Sequence, residues 1–221
     1  MKRVVIFGTG DFARVAFVYL SKDSVYEVAA FTVDEEYITE GKIHGLDVVP
    51  FEGIVNTHPP ERFAMFVAIG FRRVNKARAE VYDRCREKGY ELISYISSKA
   101  LQWGEIEVGD NCFIFENNVI QPFVKIGNDV IMWSGNHIGH HSSIGDHCFI
   151  ASHAVISGRV KIGPYCFIGV NATLSDGITV ASECVIGAGA IILKDTKAQE
   201  VYAAKNTEPA DIISPGLKSF K

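Results

Sequence analysis

The sequence predicts an α/β domain with a parallel sheet, followed by a parallel β-helix. Two observations carry this reading. Residues 1–95 alternate between strand and helix patterns, the signature of a parallel α/β sheet. From Val108 to Ile192 every sixth residue is aliphatic or Met, a period that belongs to neither a helix nor an ordinary meander.

In the first domain, Arg3-Val4-Val5-Ile6-Phe7 reads as a buried strand running into Gly8-Thr9-Gly10-Asp11-Phe12-Ala13 and a helical pattern to about Lys22. A second strand ends at Phe31-Thr32-Val33-Asp34, and a third, Phe63–Ile69, stops at Gly70. A charged amphipathic helix covers roughly Val74–Lys88, and Glu91–Tyr95 reads as a last strand. The G-x-G-x-x-A turn, with Asp34 about 21 residues on, has the spacing of a dinucleotide-binding fingerprint. Its glycines also suit a tight strand-to-helix connection that binds nothing. Ligands of such sheets sit at the carboxyl ends of the strands, where Gly8, Gly10, Asp11, Phe12, Ala13, Asp34 and Gly70 all fall. A nucleotide-containing ligand is expected there, and a redox NAD(P) cofactor is not.

The second domain is written in hexads. The apolar column runs Val108, Ile114, Ile120, Ile126, Met132, Ile138, Ile144, Ile150, Ile156, Ile162, Ile168, Leu174, Val180, Ile186, Ile192. Two residues before each lies a second column of mostly small residues, which takes Cys112, Cys148, Cys166 and Cys184. Gly often follows the aliphatic residue, as at Gly109, Gly127 and Gly139, which suits a corner with unusual backbone angles. Each short strand buries its apolar residue only by stacking on neighbours, the logic of a solenoid. The expected division is 1–97 and 98–221.

Net charge is −4 and pI about 6.0, with 48% hydrophobic and 22% charged residues. That balance argues against nucleic-acid or membrane-surface binding. No apolar run reaches a membrane-span length and the start is no signal peptide, so a cytoplasmic protein with reduced, inert thiols is expected. Five of the seven histidines crowd between His137 and His153. Histidine titrates near working pH and suits a general base, and backbone N–H groups at corners suit an oxyanion. His141, His147 and His153 share one hexad register, so they also fit a reading as mere decoration of successive faces.

The hexad pattern resembles the hexapeptide-repeat left-handed β-helix family, which implies three hexads per coil, left-handed winding and a homotrimer with sites between prisms. With the Rossmann-like domain in front, nearly the whole chain resembles the NeuD/PglD family of sugar acyltransferases. That resemblance implies acetyl-CoA as co-substrate with no tightly bound cofactor or metal. It also implies a nucleotide-linked amino sugar of 4-amino-4,6-dideoxyhexose type as acceptor, in bacterial glycan biosynthesis; O-acetylation of a sugar is the alternative. Where the family has a Gly-Gly-His-Ala-like loop, this chain has Gly10-Asp11-Phe12-Ala13.

Aligned on Gly135 and Gly145, the family's catalytic histidine is His140, with His141 as an orienting or alternate group, His137 as another alternate base and Asn136 also counted among the catalytic residues. His141 stands where the family has an acid. Asp146 or a neighbouring subunit's carboxylate then orients the base, or nothing does. Family positions for acyl-CoA fall on Phe149, commonly His in the family, and on Val170 and Ala188. Val201–Ala210, with Pro209-Ala210, resembles the family's closing segment, which covers the pantetheine arm or caps the prism. Two rivals come from other classes. A γ-carbonic-anhydrase-like zinc enzyme needs two histidines five apart, and no pair here has that spacing. A non-catalytic nucleotide-sugar-binding trimer would be indifferent to loss of His140.

Overall fold

The computed structural model describes residues 2–104 and 106–209. The first domain is a five-stranded sheet of β1 (Lys2–Phe7), β2 (Tyr26–Val33), β3 (Lys42–Ile43), β4 (Leu46–Pro50) and β5 (Phe63–Val67), in the order β3-β4-β2-β1-β5. Helix α1 (Asp11–Lys22) follows β1, the short α2 (Ile54–Thr57) precedes β5, and α3 (Lys76–Glu87) follows it. The sheet is mixed rather than wholly parallel, because β3 pairs antiparallel with β4 through a tight turn at His44-Gly45, both left-handed. Val4, Val5, Ile6 and Ala64–Val67 are buried, as central strands covered on both faces require.

The expected strand at Glu91–Tyr95 is split between two sheets. Leu92 bridges Met65 on β5, while Tyr95–Ile96 pairs with Phe113–Ile114 as the first rung of the second domain. From there the chain is a left-handed parallel β-helix of two-residue strands on three faces, the first beginning at Tyr95–Ile96, the second at Leu101–Gln102 and the third at Glu107–Val108. Each strand pairs in parallel with the one a full coil on, as Val119 with His137 and His137 with Val155. The apolar column points inward and is essentially dry from Ile114 to Ile192. Each such side chain contributes roughly 1.5–3 kcal/mol.

The second column is small for a further reason. Sγ of Cys112, Cys148 and Cys166 donates to the carbonyls of Gly127, Gly163 and Ala181 (3.0, 3.2 and 3.1 Å). Ser142 Oγ and Asn118 Nδ2 likewise reach Ser157 O and Trp133 O at 2.9 and 3.0 Å. Inside the corner, a short donor satisfies a carbonyl that would otherwise be orphaned. All five thiols are free and buried, and burial pushes Cys112 up to about 12, far from the nucleophilic thiolate form.

The glycines following the apolar column are needed for close approach, not for unusual angles. A Cβ on Gly139 would lie 2.4 Å from the Ser157 carbonyl carbon and 2.5 Å from Gly158 N. The left-handed angles fall two residues later and are mostly carried by other residue types, among them Asn111, Asp129, His141, His147, His153 and Asn171. Asn, Asp and His tolerate that region best. Gly139→Ala is therefore expected to destabilise the prism by on the order of 3 kcal/mol. Gly10→Ala, which meets nothing within 4 Å, should change little; thermal unfolding of the two variants compares them.

The two domains share one core. Phe12 meets Phe66, Phe113, Phe115 and Trp133, and Phe71 covers Phe149 and Phe167 on the prism face toward the first domain. Beside this, Arg78 of α3 is fully buried with Asp129 of the prism, Nε bonding both carboxylate oxygens at 3.0 Å. Its remaining N–H groups reach the carbonyls of Gly70, Asp129, His147 and Cys148, and Asn75 Oδ1. Val201–Tyr202 adds a last rung beside Val185–Ile186; Ala210 lies outside the described residues.

Candidate active site

The carboxyl ends of β1, β2 and β5 open on a cleft of about 590 Å³ lined by Gly8, Gly10, Asp11, Phe12, Asp34 and Gly70, with Tyr37, Arg72, Arg73 and Arg84. Gly8 has φ +128° and a Cβ there would sit 2.8 Å from Ala68 O, so the strand-to-helix turn needs glycine. Gly10 caps α1 with no side-chain bond, leaving first-turn N–H groups free, as an anion-binding turn requires. Ala13 does not face the cleft: it is fully buried under Gly8, because a small residue there lets the helix close on the strand. Asp34 is held by a two-pronged ion pair with Arg84, which lies over the Phe51 ring. The arginines were invisible as site residues in sequence, being scattered over a charged helix and the loop before it.

His140 and His141 stand on a different part of the molecule, the corner between the second and third prism faces. The backbone N–H of His140 donates to Gln121 Oε1 at 2.8 Å, and its Nδ1 lies 3.1 Å from Nδ1 of His141. The rings are perpendicular, and His141 rests on Phe123. One of those two nitrogens must carry the hydrogen and the other accept it. Cε1 and Nε2 of His140 lean over the bare α-carbon of Gly158, one coil on. Nε2 makes no hydrogen bond among the described residues while Nδ1 is tethered, the arrangement a general base needs. Next to this pair a hollow is lined by Trp103, Ile106, Pro122 and Phe123.

Three expectations change here. Asn136 is buried inside the prism: Nδ2 donates to Asn118 Oδ1 at 3.0 Å and Oδ1 accepts from Ala154 N at 2.8 Å. It belongs to the inward second column and does not reach a substrate. Asp146 does not orient His140; it is on the next corner, accepting from Asn128 N at 2.7 Å. Phe149 is buried, stacked on Phe167 and covered by Phe71, so its face is occupied by the chain's own first domain. Val170 and Ala188 are exposed, on the corner after the first face, and one chain does not bring them to His140. His147 donates from Nδ1 to Asp129 at 2.9 Å, and His153 covers Gly135; both are structural.

The PglD N-terminal domain model matches residues 3–85. A bacterial transferase hexapeptide model of six repeats matches 105–140, and the hexapeptide repeat of succinyl-transferase matches 159–194. Among solved structures, the acetyltransferase domain of PglB from Neisseria gonorrhoeae is 21% identical, with 95% of this chain and 100% of that one covered and a TM-score of 0.79. PerB from Caulobacter crescentus, in complex with CoA and GDP-perosamine, is 24% identical over 90% of this chain and 91% of its own, at a TM-score of 0.76. WeeI from Acinetobacter baumannii is 16% identical over 91% and 96%, at 0.63. These likenesses establish the fold. No curated protein matches the sequence.

Proposed function

From a chain that joins a PglD N-terminal domain to bacterial transferase hexapeptide repeats, we propose an acetyl-CoA-dependent N-acetyltransferase acting on a nucleotide-linked amino sugar. The acceptor is of the 4-amino-4,6-dideoxyhexose type, used in bacterial glycan synthesis, and the base is His140. The observation that carries this is the His140 imidazole, with Nδ1 tethered to His141 and Nε2 presented over Gly158. Acting as base at Nε2, His140 keeps its hydrogen on Nδ1 and donates it to His141 Nδ1. His141 then holds its own proton on Nε2. A neutral imidazole thus does the orienting that a carboxylate does in the family. The amine attacks the thioester directly, and no acyl-enzyme forms.

The arginine-lined cleft suits the diphosphate and base of a nucleotide, with α1's free N–H groups beside it. PerB, of the same fold, was crystallised with CoA and GDP-perosamine, a precedent for both substrates on this architecture. A homotrimer fits the second prism face, where Leu101, Val155 and Ile191 stand exposed in one line. Such a line is a patch that soluble proteins usually cover. Packing of that kind would also bring one copy's Val170 and Ala188 near another's His140. No helix among the described residues is long and apolar enough to cross a membrane; the reading takes the enzyme as cytoplasmic.

The test is a screen of dTDP-, UDP- and GDP-linked amino sugars with acetyl-CoA, following release of free thiol. Turnover with at least one is expected. No turnover with any amino sugar would sink the proposal.

A further inference from the structure

The corner carrying His140 repeats once per coil, so His140, Gly158 and Asp176 lie on three successive turns of the prism. A Cβ built on Gly158 would stand 2.9 Å from both Cε1 and Nε2 of His140, and 2.7 Å from Oδ1 of Asp176. An imidazole from one coil and a carboxylate from another therefore lean toward one point above a bare α-carbon. They do not bond to each other, and among the described residues Asp176 has no hydrogen-bond or ion-pair partner. The gap is longer than one hydrogen bond and no longer than two placed end to end. A single donor standing farther out over that α-carbon, clear of Gly158 itself, can bridge nitrogen and oxygen.

Building on the acyl-transfer reading above, we infer that Asp176 is the acceptor-binding carboxylate. It holds the primary ammonium of the sugar against His140 and selects an amine over a hydroxyl. An ammonium nitrogen has three hydrogens, so it can donate to Asp176 and to His140 Nε2 at once, the first as a charge-assisted bond. A hydroxyl has one hydrogen, which the base takes, and its lone pairs then face the Asp176 carboxylate. His140 removes one proton from the ammonium, and the freed lone pair forms the C–N bond as the C–S bond breaks. Of the two protons the nitrogen loses overall, one ends on the thiolate and one on solvent. Arg159, next along the corner from Gly158, makes no ion pair with Asp176 among the described residues, so the carboxylate's charge is not already spent.

The bland role for Asp176 is to shape its Asp-Gly corner ahead of Gly177, which is left-handed. Asp176→Asn keeps that turn chemistry and removes only the charge. With the full-length enzyme, saturating acetyl-CoA and an amino sugar that turns over, Asp176→Asn should raise the acceptor KM about 10–100-fold, the size of one lost charge-assisted contact. The KM for acetyl-CoA should stay put, and the preference for the amino sugar over its hydroxyl analogue should fall in parallel. Asp176→Glu should restore part of the loss. An unchanged acceptor KM and preference in Asp176→Asn, or a shift confined to acetyl-CoA, would overturn the inference. A wild-type enzyme inactive on every amino sugar would instead refute the acyl-transfer reading itself.

Discussion

His140→Asn is expected to lower acetyl transfer by about 10²–10⁴-fold, the range for removing a general base, while the prism stays folded. Fold and chemistry separate here because His140 is half-exposed at a corner, and its backbone bond to Gln121 Oε1 does not involve the imidazole. Asparagine keeps a polar side chain of similar reach but cannot accept a proton near neutral pH. Steady-state thiol release gives the rate, and circular dichroism with size-exclusion chromatography gives the fold and assembly. Retained activity would show that His140 is not the base, whereas a parent protein that releases no thiol would favour the non-catalytic trimer. Should the loss come with unfolding, His140 would be structural rather than basic.

Arg78→Ala is expected to destabilise the protein by about 3–5 kcal/mol, the cost of stripping one partner from a fully buried pair. Asp129 would be left dry and charged, with only Asn111 Nδ2 and His147 Nδ1 still donating to it. The carbonyls of Gly70, Asp129 and His147 would lose their donor together, and that of Cys148 would keep only the Ile131 N–H. Because Arg78 joins α3 to the prism, the loss should also loosen the seam between the domains, seen as faster proteolysis near residues 88–95 and a lower unfolding midpoint. Arg78→Lys should rescue little, since one ammonium cannot reproduce the guanidinium fork. Replacing Arg78 and Asp129 together with apolar residues of similar size should recover much of the loss. An Arg78→Ala variant as stable as the parent would mean the seam rests on its aromatic packing alone.

The prism was legible because its signal is a strict period, and the rung-by-rung register follows from it. What escaped was decided by contacts between distant segments. The β3–β4 hairpin is short, with polar Lys42 and Asp47 in it, and nothing in its pattern separates it from a loop. Arg78 sits in a helix dense in charge, where a solvated face is the ordinary reading, and only the docked prism buries it. Phe149 looked available because an outward residue of a lone prism would be; here the first domain covers that face. Asn136 is a different kind of miss. It occupies the inward second column, so its register alone argued for an interior amide, and its place among the histidines obscured that. Gly158 and Asp176 were equally within reach, one and two coils beyond His140, once stacking rather than sequence proximity is used to choose neighbours.

The pairing of each two-residue strand with its counterpart exactly one coil away has a consequence for how this chain can vary. A deletion or insertion of one hexad between His140 and Gly158 would rotate every later residue onto another face, separating His140 from Gly158 and Asp176 without removing any of them. Length change in the prism is therefore quantised. Whole coils can be gained or lost beyond the His140–Asp176 corner, and stray residues can be looped out at a vertex, but nothing smaller can enter the wall. Homologous prisms should differ in height by whole storeys while the corner at His140 keeps its floor plan.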